Sequence, residues 1–78
     1  PPAADVNRAL ERNGLIERHR NAEGHLGWRP TAAGREIGIL ATQDHAGNPF
    51  CAYTPTASHV VASIVDALLA EEGQGEPR

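Results

Sequence analysis

The 78-residue chain contains no lysine and no methionine, a single cysteine, and only three aromatic residues, Trp28, Phe50 and Tyr53. Each shortage excludes something. Without lysine, the permanent positive charge is carried by arginine alone, whose planar fork suits bidentate contact with phosphate or guanine. A lone Cys51 cannot close an internal disulfide, so nothing asks for an oxidising compartment. No apolar run approaches the roughly 20 residues of a membrane span, and no charged-then-apolar leader is evident. A cytoplasmic setting without membrane contact is the expectation.

Paired metal ligands and catalytic motifs are also missing. His19 and His25 flank a predicted turn, while His45, Cys51 and His59 fall in separate elements. None of this matches the spacing of a structural zinc site, so neither a metal nor another cofactor is expected. Cys51 with His45 or His59 is drawable as nucleophile and base, but Cys51 lies in a predicted apolar strand, where a thiol is usually buried and inert. No glycine-rich phosphate loop follows a strand, and no paired carboxylates mark a cleft. The chain is not expected to be an enzyme.

At 8.3 kDa and 40% hydrophobic residues, the sequence fits one small domain with modest net stability, expected to be a module of a larger protein or half of an oligomer. Residues 1–72 read as that domain and 73–78 as a disordered tail. The net charge of -3 hides an asymmetry: residues 1–40 carry six arginines against five acids, residues 41–78 one arginine against five. An anion-binding face therefore belongs to the first half.

Along the chain, "DVNRALERNG" places Val6, Leu10 and Asn13 on one helical face beside Ala9, with Arg8 and Arg12 stacked on the other, and closes in Asn-Gly. "LIERHR" suits a short strand leaving the core, "NAEG" a turn and "HLGWR" the returning strand. Thr31 is positioned to cap a short helix through Ile37, with Gly38 near its end. "GILAT", "QDHAGN" and "PFCAY" repeat strand, turn and strand. Thr54 and Pro55 then start a long helix with an apolar stripe over Val60, Val61, Ile64, Val65, Leu68 and Leu69. "WRPTA" at 28–32 echoes "YTPTA" at 53–57, as two strand-to-helix junctions would. The fold class is α+β, a small winged-helix-like domain of order αββαββα with two short hairpins and a long C-terminal helix.

A helix, a short hairpin and a Thr-capped helix in this order form the back half of a winged helix-turn-helix, with the first helix in the major groove and the hairpin as the wing. The stretch "LERNGLIERHRNAEGHLGWRPTAAGREI" resembles the recognition-helix end, wing and following helix of winged-helix bacterial repressors of the MarR type. Over more of the chain, "VNRALERNGLI", "WRPTAAGREIGI" and "DHAGNPFCAYTP" with the apolar helix after it are similar to the C-terminal module of phage and prophage antirepressor-like regulatory proteins.

That resemblance implies a DNA-binding transcriptional regulator in a bacterial or phage-infected cytoplasm. Its helix over 5–13 would turn to the groove of double-stranded DNA, and its wing over 15–29 would lie on the backbone. The residues implied are Asn7, Arg8 and Arg12 on the helix, with Arg18, His19, Arg20 and Arg29 on the wing. Against this, Arg8 and Arg12 also read as a solvated face sharing charge with Asp5 and Glu11, Asn7 as a local backbone partner, and Trp28 as a packing anchor. The alternative is a protein-binding or dimerising module that presents Val61, Ile64, Val65 and Leu68 of the last helix to a protein partner or a second copy.

Overall fold

A computed structural model of the chain describes residues 3–75. Helix α1 spans Ala3–Arg12 and is closed by Gly14, whose φ of 74° few residues other than glycine adopt. The Gly14 N–H donates to the Glu11 carbonyl at 2.9 Å and the Leu15 N–H to the Leu10 carbonyl at 3.0 Å, the paired bonds of a Schellman turn. The turn reverses the chain so that Leu15 and Ile16 pack where Leu10 already sits.

The order αββαββα read from the sequence is the observed one. Strands β1 (Ile16–Arg20) and β2 (Leu26–Pro30) form one antiparallel hairpin, α2 (Ala32–Glu36) follows, and β3 (Ile39–Gln43) with β4 (Pro49–Tyr53) forms a second. Helix α3 runs over Pro55–Gly75, three residues into the segment read as tail; 76–78 lie outside the described residues. Helix α1 occupies 3–12 rather than 5–13, because Asn13 already belongs to the cap. Asn13, read on the buried face, is instead exposed, its Nδ2 donating to the Ala9 carbonyl at 2.7 Å.

Two copies of one plan build the body, 23 residues apart in sequence. Ile16 and Ile39 start their strands buried at 1% and 0% exposure. Asn21 and Asp44 open their turns, with Gly24 donating to the Asn21 carbonyl and Gly47 to the Asp44 carbonyl, each at 3.0 Å. Thr31 and Thr54 then cap α2 and α3 through their hydroxyls, accepting from the N–H groups of Gly34 and Ala57. The two hydroxyls also reach back to the Gly14 and Gly38 carbonyls. Both junctions expected at "WRPTA" and "YTPTA" exist, but the text echo aligns Thr31 with Thr56, two residues out of the structural equivalence.

The core consists of the fully buried Leu10, Ile16, Ile39 and Ala57, with Val6, Leu15, Trp28, Ile37, Cys51, Val61 and Ile64 packed around them. The hairpins lean on one another. The Asn21 Nδ2 donates to the Gly47 carbonyl at 2.9 Å, and Gly27 brings β2 so close to β4 that a side chain there would overlap the Pro49 carbonyl. Leu40 and Phe50 of the second hairpin stay exposed.

The paired turns make a pH prediction. Asp44 accepts the Asn48 N–H at 2.9 Å, and that backbone bond, chief among several, holds its carboxyl below the usual aspartate range against a smaller opposing effect of desolvation. A depressed carboxyl pKa contributes stability above the unfolded value of about 3.9 and loses it as pH falls through the folded one. Asp44→Asn, which installs the residue the first turn uses at Asn21, should keep the thermal midpoint at neutral pH and weaken its fall below about pH 4. Asp44→Ala should lower the midpoint at neutral pH. Melting curves across pH check both, and an unchanged acid limb in Asp44→Asn would mean other groups control it.

Candidate nucleic-acid interface

Strand β1 alternates Glu17, Arg18, His19 and Arg20, and a strand's period of two sends these side chains to opposite faces. Register then decides their neighbours: Arg18 pairs with Trp28 and Arg20 with Leu26, while Glu17 pairs with Arg29 and His19 with Gly27. The wing cations are therefore divided between two faces of one hairpin.

On the first face the Arg18 guanidinium lies 4.8 Å from the centre of the Trp28 ring, within cation–π range. Helix α1 adds Asn7, Arg8 and Glu11, and with Arg18 and Trp28 these line a recess of about 160 Å³. Two guanidiniums thus border one depression with one carboxylate beside them. Farther along the same face, the Arg20 Nη1 donates to the Gly24 carbonyl at 2.7 Å, which points its guanidinium to the hairpin turn. Trp28 is half-buried and packs against the core, so its anchoring role and its hold on Arg18 coexist.

On the second face Arg29 donates through Nε to Glu17 at 2.6 Å. Both side chains are 45% exposed, and an ion pair in that setting adds about 0–1 kcal/mol, so it orients Arg29 more than it stabilises the fold. His19 and Arg29 open onto a groove of about 390 Å³ between the hairpins, where Arg35 of α2 joins them with Thr42 and Gln43 of β3. Sequence reasoning does not single out Arg35, Thr42 or Gln43. The available signal is that Arg35 has no acid three or four positions away along its helix, leaving its charge without a local partner.

Arg12 sits elsewhere. It borders a shallow recess with Ile64, Leu68 and Glu71 of α3, on the side of α1 away from the hairpin recess. The structure therefore brings Asn7, Arg8 and Arg18 together, sets Arg20 farther along the same hairpin face, puts His19 and Arg29 on the other, and leaves Arg12 beside α3. Of the apolar set on α3, Val61 and Ile64 pack on the core and Leu68 lines the recess with α1; Val65 is half-buried, and Leu69 is 48% exposed.

Cys51 is half-buried on β4, and burial pushes its thiol up. Burial, with a smaller push from Cys51, also raises the Tyr53 phenol. No three His, Cys, Asp or Glu side chains among the described residues are grouped to hold a metal ion. Among the same residues no helix is long and apolar enough to cross a membrane.

These features define a small α+β module of two hairpin-and-helix units, with a leading helix set against the first hairpin. Comparison with protein-family models, curated proteins and solved structures finds no match to the chain.

Proposed function

We propose that this chain is a DNA-binding winged-helix module of a phage or prophage-type transcriptional regulator, working in the cytoplasm. The observation that carries the reading is the recess shared by Asn7, Arg8 and Glu11 of the leading helix with Arg18 and Trp28 of the first hairpin, which sets one arginine from each element on one depression. A backbone phosphate is the natural occupant of such an edge, since bidentate arginine contacts position a protein on a duplex without reading its sequence. Arg20 extends the cationic line to the hairpin tip. The likeness of residues 10–37 to a recognition-helix end, wing and following helix supports the same orientation. His19 and Arg29, on the opposite hairpin face, take no part in this contact.

Fluorescence anisotropy of a labelled duplex at two salt concentrations tests it. Binding should weaken with salt, and Arg8→Ala/Arg18→Ala/Arg20→Ala should flatten the log–log salt slope by about 0.9 for each phosphate that is no longer neutralised. A folded protein that leaves the duplex free at high micromolar concentration would end the DNA reading.

A second reading rests on α3. Its residues Ala57, Val61, Ile64 and Leu68 face inward, yet Val65 and Leu69 form a neighbouring stripe that the body does not cover fully. That stripe suits a protein partner or a second copy. Self-association that Leu69→Asp abolishes in sedimentation equilibrium would support it; a monomer at all concentrations would leave only a heterologous partner.

A further inference from the structure

The groove between the hairpins lies outside the proposed DNA contact. It gathers side-chain cations from two elements, Arg29 of β2 and Arg35 of α2, beside the His19 imidazole of β1, and no carboxylate among the described residues lines it. Glu17 engages only the Nε edge of Arg29; the Arg29 Nη groups make no hydrogen bond among the described residues. Arg35 has neither a side-chain hydrogen bond nor an ion pair among those residues. Thr42 and Gln43 add neutral hydrogen-bonding groups, and Trp28 and Pro49 supply apolar wall.

We infer that this groove binds a small organic phosphate, with the phosphate on Arg29 and Arg35 and its organic part against Trp28 and Pro49. Two guanidiniums suit a dianion, and a phosphomonoester, whose second ionisation lies near pH 6, is largely dianionic at neutral pH. The volume of about 390 Å³ falls in the usual range for small-ligand sites, roughly 300–1,000 Å³, and exceeds what a bare phosphate fills. Trp28 borders both this groove and the Arg8 and Arg18 recess, but the two sites share no cation, so variants of their arginines test them separately.

Titration of the isotope-labelled protein with adenosine 5′-monophosphate, inorganic phosphate, adenosine and a short duplex, followed by ¹H–¹⁵N NMR, tests the assignment. The nucleotide should give saturable shifts at His19, at the Arg29 and Arg35 side-chain Nε–H groups and at Thr42, inorganic phosphate weaker shifts at the same places, and adenosine none. Arg35→Gln should weaken nucleotide binding by about tenfold or more, the drop typical of removing a charge-assisted hydrogen bond. Gln43→Glu, which adds a carboxylate at the groove without removing a cation, should weaken it as well. Absence of saturation in the millimolar range overturns the assignment. So do nucleotide shifts confined to Arg8, Arg18 and Arg20, or groove shifts that appear with duplex and not with nucleotide, which would make the groove part of a DNA phosphate track. Arg8→Ala/Arg20→Ala, which alters neither the groove lining nor the cation on Trp28, should leave nucleotide affinity unchanged, while failure of that variant to bind duplex belongs to the DNA reading alone.

Discussion

Gly34→Ala is expected to lower the thermal midpoint by about 15 °C or more, because the added methyl group would overlap the carbonyl oxygen of Leu15. Neither side of that collision moves freely. The Leu15 carbonyl accepts the Thr31 N–H at 3.1 Å, the Thr31 hydroxyl is bonded to the Gly14 carbonyl, and the Gly34 N–H donates to that hydroxyl. Pro30, fully buried, closes the remaining direction, its Cβ 3.3 Å from where the methyl carbon would stand. Relief therefore requires α2 to lift from the turn after α1, which breaks its cap. Overpacking costs typically about 1–3 kcal/mol and more when backbone must shift, against a net stability near the low end of about 5–15 kcal/mol for so small a domain. The equivalent position in the second unit is Ala57, fully buried with its methyl accommodated. Ala57→Gly should cost only about 1 kcal/mol as a helix effect, plus a small packing penalty. Differential scanning calorimetry of the two variants separates them, and a Gly34→Ala midpoint within a few degrees of the parent would mean that α2 does not sit tightly against Leu15.

Features set by local chemistry were legible in the sequence. Thr31 and Thr54 stand before apolar helical patterns, and a hydroxyl there has one strong local use, so both caps and the element order follow. Asn13-Gly14 likewise announces the end of α1. What could not be read depends on register and on the approach of distant segments. Whether Arg29 shares a face with Arg18 or with Glu17 turns on a shift of one residue in pairing, and that is fixed by the turn bond between the Asn21 N–H and the His25 carbonyl. Arg8 and Arg12, four apart, would stack together on an isolated helix. Helix α3 packs along the last turn of α1 and gives Arg12 separate company. The groove with Arg35 was hidden for the same reason, since it exists only where Gly27 lets the second hairpin close on the first. The 23-residue repeat is carried by equivalent hydrogen bonds more than by matching letters, which is why the visible echo misplaces it by two residues.

Leu10→Ala should produce the second large destabilisation, about 2–5 kcal/mol, or about 10–30 °C in midpoint at this chain length. Leu10 is 0% exposed, at the meeting point of α1 with Ile16 and Ile39 from the two hairpins and Ala57 from α3. Its carbonyl also accepts the Leu15 N–H in the turn that ends the helix, so the side chain and the backbone of one residue fix α1 from both sides. Collapse of neighbours into the vacated volume is limited, because Ile16 and Ile39 each begin a strand whose pairing holds them in place. Leu69→Ala is the matched control: the same atoms are removed from a side chain that is 48% exposed, and the midpoint should move by no more than a few degrees. The comparison also separates stability from function. Leu10→Ala loosens the platform that holds Arg8 beside Arg18, so duplex affinity should fall in step with the folded population and recover on cooling. The arginine variants should lose affinity with the midpoint intact. Equal midpoints for Leu10→Ala and Leu69→Ala would show that α1 is not anchored through Leu10, and the shared recess would then have no fixed geometry to offer a phosphate.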